Sequence, residues 1–340
     1  MPVHNLSTAN LINSLPKAEL HLHIEGTLEP ELMMALAAKH QVTLPYSTID
    51  DVRLAYNFDN LQSFLDLYYL GASVLRDEDD FYRLMWDYLC KCKEENVVHV
   101  EMMFDPQTHT ERGIDFAVFM AGFTRAMAQA EKEWGQSSLL IMSFLRHLSE
   151  RNAFDTLTAA APYLPMITAV GLDSSELGNP PEKFTRVFAK AKELGLMRVA
   201  HAGEEGPPEY IWSALHDLDV HRIDHGVRSV EDGALMKELV SRQMPLTVCP
   251  LSNIKLCVFD HMNEHNLLTL LEHGLMVTVN ADDPSYFGGY LNDNYHALAA
   301  HLPINKQHIK TLASNSFKAS FLSEEKKSHW LNQISNFDAD

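Results

Sequence analysis

Cysteine is scarce in this chain: four in 340 residues (Cys90, Cys92, Cys249 and Cys257), with no C-x-x-C pair among them. That argues against a cysteine zinc knuckle or a thioredoxin-like redox site, and so few thiols fit a reducing compartment. Basic charge is also short, with 27 Lys and Arg against 46 Asp and Glu and a net charge of −19. A nucleic-acid backbone requires a basic surface, so the expected partner is a small neutral or cationic molecule and not nucleic acid. No apolar run reaches membrane-spanning length, and the opening M-P-V-H-N-L-S-T lacks the basic-then-apolar pattern of a secretory leader. A cytoplasmic location with no membrane partner is expected. Linkers, low-complexity tracts and short repeats are missing too, so residues 1–340 are expected to form one domain. Nothing in the sequence specifies an oligomeric state.

What is present is a chain with ample apolar material, 46% hydrophobic and 21% charged. Its most informative stretch runs from Pro16 to Gly26, P-K-A-E-L-H-L-H-I-E-G. Leu20, Leu22 and Ile24 alternate with His21, His23 and Glu25, the period of a strand, so both histidines project from one face. A helix is expected over Glu29 to His40 with Thr27 as its cap, then helices around Leu61 to Leu75 and Asp79 to Glu95. The aromatics of this insertion (Phe58, Phe64, Tyr68, Tyr69, Phe81, Trp86) are expected in the core, with a substrate lid as the alternative. Strand-like runs follow at Val97–Asp105, Ser138–Leu145, Ile167–Asp173, Met197–His201, Arg222–His225, Leu246–Cys249 and Met276–Asp282, each after a helical segment. Eight strands alternating with helices imply parallel pairing and an α/β fold, a closed (β/α)₈ TIM barrel with extra helices after the first strand and at the C-terminus.

Active sites in such barrels lie at the carboxyl ends of the strands, and here ionisable groups gather at five of those ends. They are His21, His23 and Glu25; Asp173; His201 and Glu204; Asp224 and His225; and Asp282 and Asp283. Three histidines (His21, His23, His201) and one carboxylate suit a divalent metal of zinc type, able to lower the pKa of a bound water. Glu204, in H-A-G-E-E-G, is placed to give or take a proton, and His225 to orient or deprotonate the water. Asp282 and Asp283 should point in opposite directions on a strand, so one is expected as a ligand and the other as a substrate contact.

H-L-H-I-E-G, H-A-G-E-E-G, R-I-D-H-G, V-C-P-L-S-N and N-A-D-D-P, in that order between Pro16 and about Tyr290, resemble the motifs of the adenosine/adenine deaminases of the amidohydrolase superfamily. The resemblance implies that His21, His23, His201 and Asp282 bind one zinc ion per chain. It further implies that Glu204 is the proton donor to the purine ring, that His225 positions and helps activate the water, and that Asp283 hydrogen-bonds the imidazole edge of the purine. The implied reaction is hydrolytic deamination with loss of ammonia. Cytidine-type deaminases use P-C-x-x-C, which is absent.

Adenosine deaminases usually carry aspartate where this chain has Glu25, whose extra methylene would fill ribose space. The fourth-strand segment G-L-D-S-S-E-L-G-N-P-P, with Asp173, likewise resembles the subgroup acting on free adenine. Glu25, Asp173 and Asp283 are therefore the expected substrate-binding residues, and adenine, giving hypoxanthine, the expected substrate. Adenosine or an N6-substituted adenine is the alternative. A binuclear amidohydrolase would need a lysine at the fourth strand end, where Gly171-Leu172-Asp173-Ser174 has none. A silent purine-binding protein would be expected to have lost Glu204 or a ligand, and none is missing.

Overall fold

The computed structural model describes residues 4–337, with side chains from Thr8 onward. Eight strands, β1 (Lys17–Glu19), β2 (Val97–Phe104), β3 (Ser137–Leu145), β4 (Ala169–Asp173), β5 (Met197–Ala202), β6 (Arg222–His225), β7 (Pro245–Val248) and β8 (Met276–Val279), lie side by side in chain order. Every neighbouring pair is parallel. Helices fill the connections, as right-handed crossovers between parallel strands demand. The expected α/β barrel is the fold observed.

The barrel closes between its last and first strands beyond the regular ladder. Leu22 bridges to Asp282, with His23 N–H donating to Asp282 O at 2.9 Å and Asp282 N–H to His21 O at 3.2 Å. Side chains complete the seam: Asn280 Oδ1 accepts from Leu20 N–H at 2.9 Å, and Glu19 Oε1 accepts from Ala281 N–H at 2.8 Å. The first strand is thus shorter and earlier than expected, and His21 and His23 sit on its extension. Their alternation with buried Leu20, Leu22 and Ile24 persists there.

In the insertion after β1, one helix begins at Pro30 with Glu29 as its N-cap, not Thr27, which lies in a preceding 3₁₀ turn. A further short helix, Ile49–Ala55, was not expected from the sequence. Helices Leu61–Ala72 and Glu78–Glu94 are opened by capping boxes at Asn60 and Asp77. The polar tail forms helices Lys306–Ala319 and Glu324–Ser335 outside the barrel, and its last expected residues, 338–340, lie outside the described region. No helix among the described residues is long and apolar enough to cross a membrane.

The end of the barrel opposite the site is plugged by charge. Fully buried Arg222 on β6 pairs with fully buried Glu101 on β2 and donates to Ala319 O and Leu20 O, each at 3.3 Å. Phe321 covers the guanidinium at 4.1 Å, while Glu101 also accepts from the Phe321 N–H and contacts His99 Nε2 at 3.0 Å.

Candidate active site

At the carboxyl ends of the strands His21, His23, His201 and Asp282 converge, all buried. His201 Nε2 lies 3.1 Å from His21 Nε2 and 3.2 Å from His23 Nε2. Asp282 Oδ1 lies 3.2 Å from His21 Nε2 and 3.5 Å from His23 Nε2. Neutral imidazole lone pairs aimed at one another repel unless a proton or cation lies between them. Ligand atoms with such separations surround a central ion at about 2.0–2.2 Å, the distance of zinc from histidine nitrogen and carboxylate oxygen. The donor set fits a zinc-type ion.

Each histidine is oriented from behind. His21 Nδ1 meets Thr247 Oγ1 at 3.0 Å, and Thr247 Oγ1 donates to Asp224 Oδ1 at 2.8 Å. Asp224 Oδ2 is 3.6 Å from His201 Nδ1, and Asp173 Oδ2 is 3.5 Å from His23 Nδ1. Carboxylates behind metal-ligating imidazoles fix ring orientation and raise ligand basicity. Burial pushes the His23 pKa down to about 3, holding the ring neutral as a ligand must be.

A cavity of about 370 Å³ opens in front of this cluster, lined by Glu204, His225, Asp282, Asp283, Asp173, Ser174 and Asp105. Its apolar wall includes Leu61, Phe64, Leu65, Tyr68 and Tyr69 from the helix Leu61–Ala72, with Leu256 and Phe287. The insertion aromatics therefore divide. Phe64, Tyr68 and Tyr69 face the cavity. Phe58 packs behind Phe64, Phe81 packs on Phe119 and Phe123, and Trp86 stacks on Tyr82.

The carboxyl groups are pushed to opposite protonation preferences. Burial and the neighbouring Asp282 charge raise the Glu204 pKa well above the ordinary carboxylic range. Burial opposes ionisation of Asp282 as well, but His21, His225 and His23 outweigh it and hold its pKa well below the ordinary value. Two adjacent carboxyls, one kept ionised and one kept protonated, are the arrangement of a ligand beside a general acid. Glu204 Oε1 and Asp283 Oδ1 are buried with no protein donor. His225 Nε2 stands 3.5 Å from Glu204 Oε2 and 3.8 Å from Asp282 Oδ2, so it faces the same space.

Asp282 and Asp283 do not point in opposite directions: both line the cavity. The strand ends at Val279, and Asp282 adopts φ +65°, breaking the two-residue alternation. Ser174 (φ +73°) after Asp173 and His225 (φ +63°) after Asp224 repeat the device at the ends of β4 and β6. Gly26 lies so close to Asp283 that a Cβ there would stand 2.0 Å from Asp283 Oδ1.

Glu25 departs from its expected place. It does not line the cavity; it turns into the wall, where His109 Nε2 meets Oε1 at 2.7 Å and Asp105 N–H donates to Oε1 at 3.2 Å. Tyr68 O–H lies 3.4 Å from Glu25 Oε2 and donates to Asp105 Oδ2 at 2.9 Å. The Glu25 carboxyl is thus taken up by His109, the Asp105 N–H and Tyr68 in the wall.

Sequence reasoning missed Asp105, Thr247 and Glu176, and gave Asp224 no role. Asp105 closes β2 immediately before a proline, a strand-end signal of the same kind as Asp283-Pro284. Glu176 has no such signal. It accepts from four successive backbone N–H groups, Gly203 to Gly206, at 2.7–3.1 Å.

Known proteins resemble this one throughout. The family described as adenosine deaminase matches residues 16–337. The adenine deaminase of Hahella chejuensis is 60% identical over 328 residues, covering 96% of this chain and 98% of that protein. The adenine deaminase of Acinetobacter baylyi is 59% identical, covering 97% and 99%. The crystal structure of adenine deaminase from Arthrobacter aurescens superposes with a TM-score of 0.93 at 47% identity, covering 95% of this chain and 98% of that one. Barrel, histidine cluster and sequence agree, and the chain belongs to the adenosine/adenine deaminase family.

Proposed function

We infer that this protein is an adenine deaminase, a metal-dependent aminohydrolase converting adenine and water to hypoxanthine and ammonia. The observation that carries the reading is the convergence of His21, His23, His201 and Asp282 beside a buried acid, Glu204, in one small cavity. Relatives about 60% identical over nearly their whole length bear that name.

The four converging residues would hold one zinc ion per chain, which would supply the acidity that makes water a nucleophile at neutral pH. Asp283, whose carboxyl burial and the Asp282 charge also push towards the protonated form, hydrogen-bonds the imidazole edge of the purine and sets its register. Glu204, held protonated, donates to the ring nitrogen beside the reacting carbon as water adds there. His225, neutral through burial, accepts a proton from the water. The carbon–nitrogen bond to the exocyclic amine then breaks as the amine takes the proton held by His225 and leaves as ammonia, and the remaining hydroxyl proton returns to Glu204 as the carbonyl of hypoxanthine forms. Asp173 acts from behind His23 and at the cavity wall.

The apolar wall on one side of the cavity and the carboxyls on the other suit a small, flat base. Exclusion of a ribose falls to the wall of Leu61, Phe64, Tyr68 and Tyr69. Tyr69 Oη is fixed to Ser174 Oγ at 2.8 Å, which His147 Nδ1 also meets at 2.8 Å. Incubating the zinc-loaded protein separately with adenine, adenosine and an N6-alkyladenine, and following ammonia or amine release, tests the reading. Adenine is expected to turn over with adenosine inert. Preference for adenosine or for the alkylated base would replace the substrate and keep the chemistry.

A further inference from the structure

We propose that Glu176 is a positioning residue for the general acid, its carboxylate setting the backbone of the Gly203–Gly206 loop from which Glu204 projects. This rests on the deaminase reading above. The loop leaves β5 at Ala202 and contains two glycines, one at φ +72°, so its own sequence gives it wide conformational freedom. Its four consecutive N–H groups all point one way, making a concavity that binds an anion.

Glu176 fills that concavity from the loop after β4 and is fully buried. Oε1 accepts from Gly203 N–H at 2.7 Å; Oε2 accepts from Glu204 at 3.1 Å, Glu205 at 2.8 Å and Gly206 at 2.7 Å. No lysine or arginine forms a salt bridge with it among the described residues; the four N–H groups supply its close contacts, and the Arg146 and Arg228 charges act on it from farther off. Hydrogen bonds to an ionised acceptor are about twice as strong as neutral ones.

The glycine at the loop's end is fitted to the carboxylate. A Cβ on Gly206 would come within 2.4 Å of Glu176 Oε1. The segment carrying Glu176 is itself clamped to the metal cluster. Arg146 Nε donates to Asn179 O at 2.8 Å and Nη1 donates to His201 O at 2.6 Å, so one guanidinium ties that segment to the backbone of a ligand. Asn179 Nδ2 donates to Ser175 O at 3.0 Å and stiffens the turn. Glu176 thus transmits a fixed frame to Glu204, while His21, His23, Asp282 and Asp283 are held by other segments and His201 by the body of β5.

A residue acting this way governs kcat and leaves ground-state binding alone. Glu176→Gln keeps the shape and most acceptor contacts but sets an amide NH₂ against a backbone N–H. In the zinc-loaded full chain it is expected to lower kcat for adenine about 10²-fold, the cost of a misplaced catalytic group. KM, zinc per chain and the melting midpoint are expected to stay near wild type. Affinity for a purine analogue with a hydroxylated, tetrahedral carbon 6 should fall by the same factor as kcat/KM, while hypoxanthine affinity holds. Unchanged kcat, or joint loss of kcat, KM and zinc, overturns the proposal.

Should that variant fail to fold, Gly206→Ala asks the same question by crowding the carboxylate instead of replacing it. The same split is expected, and wild-type kinetics there would refute the role. A wild type inert toward adenine would overturn the substrate reading before any variant is made. The split would then be measured on whichever aminopurine is consumed.

Discussion

The two ends of this barrel handle buried charge in opposite ways. At the amino-terminal end Arg222, Glu101 and His99 pair opposite charges, capped by Phe321 and two backbone carbonyls, with Arg222 Nε left unpartnered. At the carboxyl end like groups are crowded: three imidazoles (His23, His201 and His225) and five carboxyls line one pocket, and Glu204 Oε1 and Asp283 Oδ1 have no protein donor. Non-glycine residues at positive φ occur at both ends, but only at the rim do they belong to the site: Ser174, His225 and Asp282 line the cavity, whereas Asn96, Asp219 and Gln243 sit in the turns that lead into β2, β6 and β7. One end uses charge to close a structure, the other keeps charge unsatisfied until a metal and substrate arrive, which is where strain is expected to collect.

The comparison is broken most severely at the rim by Glu204→Gln. Removing a general acid costs about 10²–10⁴-fold in rate. Stability and metal content should be retained, since Glu204 ligates nothing in the cluster. Ammonia release, metal analysis and a melting curve together read this out. Wild-type turnover would mean that Glu204 is not the acid.

Arg222→Met breaks the other end. Leaving Glu101 buried and unpaired should cost about 3–5 kcal/mol of stability, measured by urea unfolding, with kcat per folded molecule unchanged. Replacing Glu101 by Leu as well should restore much of that loss, because the penalty comes from the stranded charge. If the double variant is as unstable as the single one, the plug acts through shape and not through charge compensation.

These two ends also differ in how well the sequence disclosed them. The metal cluster was legible because His21, His23, His201 and Asp282 are residue types with specific chemistry, placed at strand ends that the alternation of elements locates. The direction of Asp283 was not, since strand periodicity assigns neighbours to opposite faces and the left-handed backbone at Asp282 cancels it. The partner of Glu25 was hidden for a related reason: the residues around it in the 3₁₀ turn Glu25–Thr27 do not reveal that His109, far along the chain, would capture it. Glu176 and the Glu101–Arg222 pair were silent because each partner is an ordinary residue within its own segment. Only the closed barrel brings them to their partners.

Gly26→Ala tests the rim more gently. Its Cβ would meet Asp283 at 2.0 Å, so the carboxylate must move away from the purine edge it serves. Overpacking of this kind costs about 1–3 kcal/mol, here expected mainly as weaker adenine binding. KM should rise about 10-fold or more, with zinc content unchanged, since 1.4 kcal/mol is a factor of ten. An unaltered KM would remove Asp283 from the binding site.

The smallest effect separates the ends by pH. Burial works to raise the pKa of Glu101, but Arg222, His99 and the Phe321 N–H outweigh it, and the folded value lies below the ordinary one. A carboxylate whose folded pKa is depressed binds fewer protons in the native state than in the unfolded state near its unfolded pKa. Its stabilisation is therefore fully present above about pH 4.3 and is lost as pH falls through the lower folded value. Stability measured by urea unfolding should decline over that acid window in the wild type, and less steeply in Glu101→Gln, which has nothing there to titrate. The comparison is best made on the metal-free protein, because acid also strips ligands from a metal and would add the rim's own decline. Equal slopes in the two proteins would mean that Glu101 titrates alike in the folded and unfolded states, and that Arg222 and His99 do not hold its carboxylate ionised.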